Sequence, residues 1–257
     1  MPKNNQKEWF ADPNGIWGKK YLIDYEDILP KQRTEKEVVF AVNAFGLRPG
    51  AGLLDLACGY GRHAISFAKL GYVVTGFDLS AALLRRAKHD AKKANVPVRW
   101  IKGDMRSLPF RNEFDAAVIL FTSLGYFKKA EDNLKVVRQI HASLKPGGLL
   151  LIDMSNGDYL LSHFEGKGWH RHRDGSTTLE YKEFDPKTKF VRERKIFIEK
   201  DGRTRGAEML FRVFSPRELQ FLIKRGGFAI KKIWGGFDGE RLSSQSRRII
   251  ILAWKKK

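Results

Sequence analysis

Cysteine is almost missing from this 257-residue chain, which holds only Cys58. A lone thiol excludes an intramolecular disulfide framework and a multi-cysteine metal centre, and no metal is expected. Long apolar runs are absent too, and none approaches the roughly 20 residues that cross a bilayer. The first ten residues, MPKNNQKEWF, contain no apolar signal core. The expectation is a soluble, cytoplasmic protein with no membrane partner. Internal repeats and low-complexity tracts are lacking, and acidic residues are scarce: 29 against 48 Lys and Arg, a net charge of +19.

That excess raises affinity for polyanions, so RNA is a possible partner. An appended RNA-binding segment would concentrate the charge. Residues 151–257 hold 24 basic and 14 acidic side chains, and residues 1–150 hold 24 and 15. The charge is therefore spread along the chain, apart from the KKK tail. A solvated lysine-rich surface explains it as well as RNA does.

Hydrophobic residues make up 42% and aromatics 12%, enough for a sizeable core. The length suits one elaborated domain or two small ones. Residues 1–33 read as an irregular or helical polar and aromatic segment. Thr34 and Glu37 are spaced as a capping box for a helix over 34–45. Strands are expected at Leu53–Leu56, Tyr72–Phe77, Val98–Lys102, Ala116–Phe121 and Leu149–Asp153. Helices are expected at Arg62–Leu70, Ala81–Ala94 and Glu131–Leu144, and LKPGG reads as a sharp turn. This alternation predicts an α/β fold with a doubly wound, mostly parallel sheet.

The rhythm then changes. Between Trp169 and Phe214 the segments TTLEYKEF, KFVRERKIFIE and AEMLFRVF alternate with period two, separated by DG, DPKT and KDGR. They predict a small antiparallel sheet inserted in the main fold. SPRELQFLIKRGG reads as a capped helix ending at glycines, and Phe228–Trp234 and Arg248–Trp254 as the last strands. The division expected is a main unit of 34–155 and 215–257 with an insertion at 156–214.

Chemistry concentrates in LLDLACGYGRHAISFAKLGYVVTGFDLS, residues 53–80. Strand ends of such sheets deliver ligands to a crevice at their carboxyl edge. The loop Ala57–Gly61 is small, as close approach of a ligand requires. Asp55 precedes it, and Asp78 ends the next strand at the spacing from which a carboxylate reaches a ribose. Gly59-Tyr60-Gly61-Arg62-His63-Ala64 fits a loose dinucleotide pattern. Asp55, however, brings negative charge toward the place of a pyrophosphate. It suits a cationic amino group instead. After the third strand, Asp104 is placed to accept from an adenine amino group, with Met105 against the ring.

The series DLACGYG, GFDLS, KGDMRSLPF, FDAAVILFTSLGYF and LKPGGLLLIDMSN resembles the class I S-adenosylmethionine-dependent methyltransferases over roughly residues 34–155. FSPRELQFLIKRGGF is similar to their late helix–strand element. The resemblance implies a Rossmann-like seven-stranded sheet whose last strand runs antiparallel, with S-adenosylmethionine as cofactor and S-adenosylhomocysteine as product. It also implies roles. Asp55, Ala57, Gly59 and Gly61 form the loop against the methionine part; Asp78 binds the ribose and Leu79 flanks the adenine. Asp104 and Met105 hold the adenine, and Phe121 ends the fourth strand beside the cofactor. The sequence departs from the pattern at Ala57, where the family has its first glycine.

No motif names a catalytic base, and alignment suffices for a neutral amine acceptor. The loop FTSLGYF lacks the Asn/Asp-Pro-Pro-aromatic motif of many nucleobase and glutamine methyltransferases. The insertion stands where small-molecule members carry a substrate-covering sheet. The expectation is therefore methyl transfer to a small-molecule O or N acceptor, with the insertion as lid. An RNA or protein methyltransferase, a noncatalytic cofactor- or RNA-binding protein and a dinucleotide dehydrogenase remain as alternatives. Tyr21, Arg33, Thr122, Ser123, Tyr126 and Arg247 are candidates for the substrate pocket. His63 and Cys58 read as structural.

Overall fold

The computed structural model of the chain describes Tyr25 and residues 29–256. Helix α1 (Lys31–Phe45) leads into β1 (Gly52–Leu56), α2 (Arg62–Lys69), β2 (Val73–Asp78), α3 (Ala81–Lys93) and β3 (Val98–Lys102). The chain then returns through β4 (Phe114–Ile119), α4 (Ala130–Ser143) and β5 (Leu144–Ser155). A short helix α5 (Gly157–Ser162) opens the insertion, which contains β6 (Lys167–Arg171), β7 (Thr177–Asp185), β8 (Phe190–Ile198) and β9 (Thr204–Arg212). Helix α6 (Pro216–Arg225), β10 (Phe228–Trp234) and β11 (Arg248–Lys255) follow.

Seven strands form one sheet in the order β10-β11-β5-β4-β1-β2-β3. All run parallel except β11, which is antiparallel to both β5 and β10. Consecutive side chains show that the sheet is buried on both faces. Leu54, Leu150 and Ile251 pack with Val137 and Ile140 of α4 and with Leu219 of α6. Their neighbours Leu53, Leu151 and Ile250 pack on the other side with Val38 of α1 and Phe67 of α2. Near-continuous apolar strands are what a sheet covered on both faces requires. Strand order reverses between β1 and β4, so the ligand crevice opens beyond their carboxyl ends. The second sheet, β6-β7-β8-β9, is wholly antiparallel. Among the described residues no helix is long and apolar enough to cross a membrane.

Three local expectations change. Helix α1 begins at Lys31 with Pro30 at its N-cap and no side-chain cap. Thr34 and Glu37 are buried and accept hydrogen bonds from Arg62 instead of capping. LKPGG does not interrupt the sheet. β5 starts at Leu144 and carries Gly147, at φ +82°, in an irregularity where Phe114 pairs with Leu144 but Ala116 with Leu149. The insertion has a fourth strand, β6, whose short KGWHR segment alternates too little to announce itself. The capped helix before β10 is present, with a reciprocal Ser215–Glu218 capping box and Pro216 in its first turn.

Strands β4, β5 and β11 are tied together at their site ends by Asp153. This carboxylate is 1% exposed and accepts from the Arg248 guanidinium at 2.7 and 2.6 Å and from the Phe121 N–H at 2.9 Å. Replacing it with alanine removes the acceptor of the Arg248 guanidinium and of the Phe121 N–H. Asp153→Ala is expected to cost about 3–5 kcal/mol of stability, read from denaturant unfolding; a loss below about 1 kcal/mol contradicts this account.

Candidate active site

The loop after β1 descends through three left-handed residues: Ala57 at φ 58°, Gly59 at φ 57° and Gly61 at φ 80°. Alanine at the first of these is strained, because its Cβ crowds the following carbonyl. The two glycines serve different ends. A Cβ on Gly59 would meet only Leu83, at 4.0 Å, leaving an open cradle beside the crevice. A Cβ on Gly61 would meet Trp100 at 2.4 Å, so this glycine makes room for an indole ring.

Asp78 closes the loop from the end of β2. Its carboxylate accepts from the Gly59 and Ser80 N–H groups, both at 2.8 Å, while Ser80 caps α3 through Leu83. Burial raises the Asp78 pKa against these stabilising N–H bonds. A carboxylate has about four lone-pair positions, so capacity remains for hydroxyl donors.

Beneath the loop lies a partly unsatisfied charge cluster. Asp55 is 2% exposed and its Oδ2 has no hydrogen-bond partner among the described residues. Burial pushes its pKa up to about 7, opposed by the Arg62 charge. Arg62 donates to Glu37 at 2.5 Å, yet its Nη2 is likewise without a partner among them. Glu37 also accepts from Arg33 at 3.0 Å and pairs with His63 Nε2 at 2.7 Å. These partners overcome burial and hold Glu37 at about 2. Burial and Arg62 lower His63 to about 4, so its imidazole is neutral at pH 7. An orphaned acceptor and an orphaned donor match the ammonium and carboxylate of an amino-acid head group.

A cavity of about 630 Å³ opens above these groups. Of the cofactor residues anticipated from the sequence, it is lined by Ala57, Gly59, Asp78, Leu79, Asp104, Met105 and Phe121. Asp55 lies below the loop and Gly61 behind it, so neither is among the lining residues. Asp104 accepts from Arg106 through Nε and Nη2, at 3.0 and 2.6 Å to Oδ2, and forms a turn to the Arg106 N–H at 2.8 Å. Arg106 lies 4.7 Å over the Phe127 ring and reaches Asp132.

Thr122, Ser123, Tyr126 and Arg247 also line the cavity, as anticipated. Arg33 does not; it packs 5.2 Å over the Phe121 ring and borders an adjoining recess. Tyr21 lies outside the described residues. Phe121 and Thr122 are both left-handed at φ 60°. Tyr25 meets Phe121 edge-on at 5.5 Å, and Tyr126 donates to the Thr122 carbonyl at 3.0 Å. Burial pushes the Tyr126 phenol far up, which leaves it a hydrogen-bond donor and not a base. Cys58 is buried and its thiol is pushed well up by burial, so it is no nucleophile.

The roof was not legible in advance. Tyr159, Leu160 and His163 around α5 and Glu180, Lys182, Val191, Glu193, Lys195 and Met209 of the second sheet all line the cavity. Tyr159 stacks on His163 at 4.1 Å, and Arg247 sits 5.8 Å over Tyr159. The period-two pattern announced strands, but charged residues on both faces of β7 and β8 hid which face points inward.

The family profile described as "Methyltransferase domain" matches residues 53–148. A Bacillus subtilis (strain 168) protein named as a methyltransferase, YqeM, is 29% identical over 80% of this chain and 84% of its own length. Glycine/sarcosine N-methyltransferase of Parasynechococcus marenigrum (strain WH8102) is 31% identical over 61% of this chain and 54% of its own. The CcbJ methyltransferase from Streptomyces caelestis has the same fold, with a TM-score of 0.82 at 20% identity over 98% of this chain and 100% of its own.

Asp55 has a measurable signature. Its pKa of about 7 in the folded chain stands above the unfolded value of 3.8, so the folded form binds the extra proton between these limits. The Asp55 contribution therefore erodes stability as pH rises from about 4 to 7. Asp55→Asn is expected to stabilise the ligand-free protein by roughly 3–5 kcal/mol at pH 8. The gain should vanish near pH 4. Comparing wild type and variant by denaturant unfolding at both pH values isolates this group, and a pH-independent difference contradicts it.

Proposed function

The chain belongs to the class I S-adenosylmethionine-dependent methyltransferases, and from this premise we propose that it methylates an oxygen or nitrogen of a small molecule held between the nucleotide side and the second sheet. When bound, the cofactor supplies a sulfonium methyl group that an acceptor lone pair takes by in-line displacement.

The cavity between the strand ends and the second sheet carries this reading. Its volume of about 630 Å³ suits small ligands, whose sites usually span 300–1,000 Å³. In this proposal residues 34–155 and 215–257 bind the cofactor, and 156–214 form the lid. Asp78 accepts from the ribose hydroxyls while its bonds to Gly59 and Ser80 keep the carboxylate oriented. Asp55 and Arg62, which do not line the cavity, set the charge behind the glycine loop at the amino-acid end of the cofactor. Leu79 and Met105 enclose the adenine, and Asp104, steadied by Arg106, faces its amino group. Phe121, fixed from behind by Arg33 and Arg62, shapes the wall next to the reacting centre and excludes water.

The relative named for glycine and sarcosine supports a small hydrophilic acceptor. RNA draws support only from the surface charge, and the cavity roof has acidic as well as basic side chains. A cytoplasmic location belongs to the same proposal.

Incubation with tritiated-methyl S-adenosylmethionine and fractionated cell extract tests the acceptor class. Label is expected in the small-molecule fraction; label confined to RNA or protein overturns the reading. Asp78→Ala is expected to weaken S-adenosylhomocysteine binding by about 1.5–3 kcal/mol in calorimetry, and unchanged affinity removes the ribose role.

A further inference from the structure

The roof of the cavity carries a square of alternating charge. Glu180 and Lys182 lie two apart on β7, and Glu193 and Lys195 two apart on β8, so all four share one face. The register pairs Glu180 with Lys195 and Lys182 with Glu193. Each corner thus has the opposite sign at both neighbours, with N–O separations of 3.0 and 3.6 Å across the strands and 2.8 and 4.0 Å along them. Glu193 and Lys195 are only 5% and 4% exposed.

Stability alone does not call for this arrangement. Buried ion pairs contribute little compared with apolar side chains of similar size, because desolvation cancels most of the attraction. Val191, Phe197 and Met209 show that this buried face accommodates apolar groups. Four charges there instead bias the cavity toward a polar ligand. An apolar acceptor would desolvate them without replacing water, and a polyanion gains nothing from a neutral square.

The square is also uneven. Glu180 is held by Lys182 at 2.8 Å and Lys195 at 3.0 Å, whereas among the described residues the cations nearest Glu193 stand at 3.6 and 4.0 Å. Those distances exceed a good charge-assisted hydrogen bond. Burial, with the charge of Glu180, raises the Glu193 pKa against the lowering by Lys195 and Lys182. Glu193 also bears on the side of the cavity assigned to the cofactor, since both its charge and that of Asp78 act on the Tyr126 phenol.

We propose that this square is the acceptor-recognition face, with Glu193 binding the ammonium of a hydrophilic amine and the lysines donating to its hydroxyl or carboxylate oxygens. The proposal rests on the methyl-transfer reading and narrows its acceptor from O or N to an amine nitrogen. The ammonium loses one proton to solvent before transfer, and the neutral amine keeps an N–H for Glu193 while its lone pair takes the methyl group.

The test first removes unreacted S-adenosylmethionine, itself a cation, from the tritiated small-molecule fraction by reversed-phase chromatography, and then passes the remainder over a cation exchanger at acidic pH. Label is expected on the resin, as a methylated amine. Glu193→Gln should lower its formation at least about tenfold, the scale of one lost charge-assisted bond, while S-adenosylhomocysteine affinity stays within about twofold. The fourfold inversion Glu180→Lys/Lys182→Glu/Glu193→Lys/Lys195→Glu keeps every corner opposite to both neighbours and should preserve the melting temperature without restoring transfer. Label that passes the resin overturns the amine assignment alone. Wild-type rates in Glu193→Gln, or full recovery in the inverted square, make the square merely structural. Label only in RNA or protein, or in no fraction despite S-adenosylhomocysteine binding, overturns the functional reading and this inference with it.

Discussion

The geometry of the crevice depends on Asp153 more than on any residue in the glycine loop. Its carboxylate joins Arg248 of the antiparallel strand to the Phe121 N–H just beyond β4. Its own carbonyl takes the Thr122 N–H at 3.0 Å. The chain can therefore hold two successive non-glycine residues at φ 60°, a conformation that costs each of them energy. That turn sets the Phe121 ring under Arg33 and Arg62 and beside Tyr25. It also brings Thr122 onto Ser155, with oxygen atoms 3.1 Å apart. One ion pair thus fixes the cavity wall at the ends of β4, β5 and β11.

Local strain and unmet polarity gather at the same edge. Ala57, Phe121 and Thr122 are left-handed without being glycine. Asp55 and Arg62 each keep one buried polar atom without a partner among the described residues. A chain shaped only for stability relaxes such features, so those beyond β1 and β4 accord with the proposed binding role of this edge. Glu37 limits that cost. It gathers Arg33, Arg62 and a neutral His63 around one buried carboxylate, anchoring α1 to the start of α2. The Thr34/Glu37 pair that resembles a helix cap in the sequence is instead this anchor.

Much of the main sheet was legible because its strands are buried on both faces and separated by strong turn or capping signals. Leu53-Leu54, Leu150-Leu151 and Ile250-Ile251 admit few other placements. Part of the cavity wall was legible because Asp78, which ends β2, and Asp104, two residues beyond β3, stand at strand ends, and both line the cavity. Gly61 illustrates where such reading stops. Its smallness follows from Trp100, forty residues away in sequence, and no local pattern distinguishes that from a ligand contact. The roof was illegible for a related reason. On β8 the inward Glu193 and Lys195 alternate with the outward Arg192 and Arg194, so hydrophobicity gives no inside and outside. Only the register with β7 shows that the inward charges neutralise one another.

That neutrality separates two electrostatic scales. The net charge of +19 acts outward, through water and salt, over roughly a Debye length of 8–10 Å. It attracts polyanions without choosing among them. Inside the cavity the field is set by neighbours a few ångströms apart, where alternation cancels net attraction but leaves fixed donors and acceptors. Long-range charge therefore governs what approaches the molecule, and the square governs what can remain. A ligand satisfied by the square needs opposite polar groups at short spacing, which a small zwitterion or hydroxylated amine supplies and a phosphate chain does not.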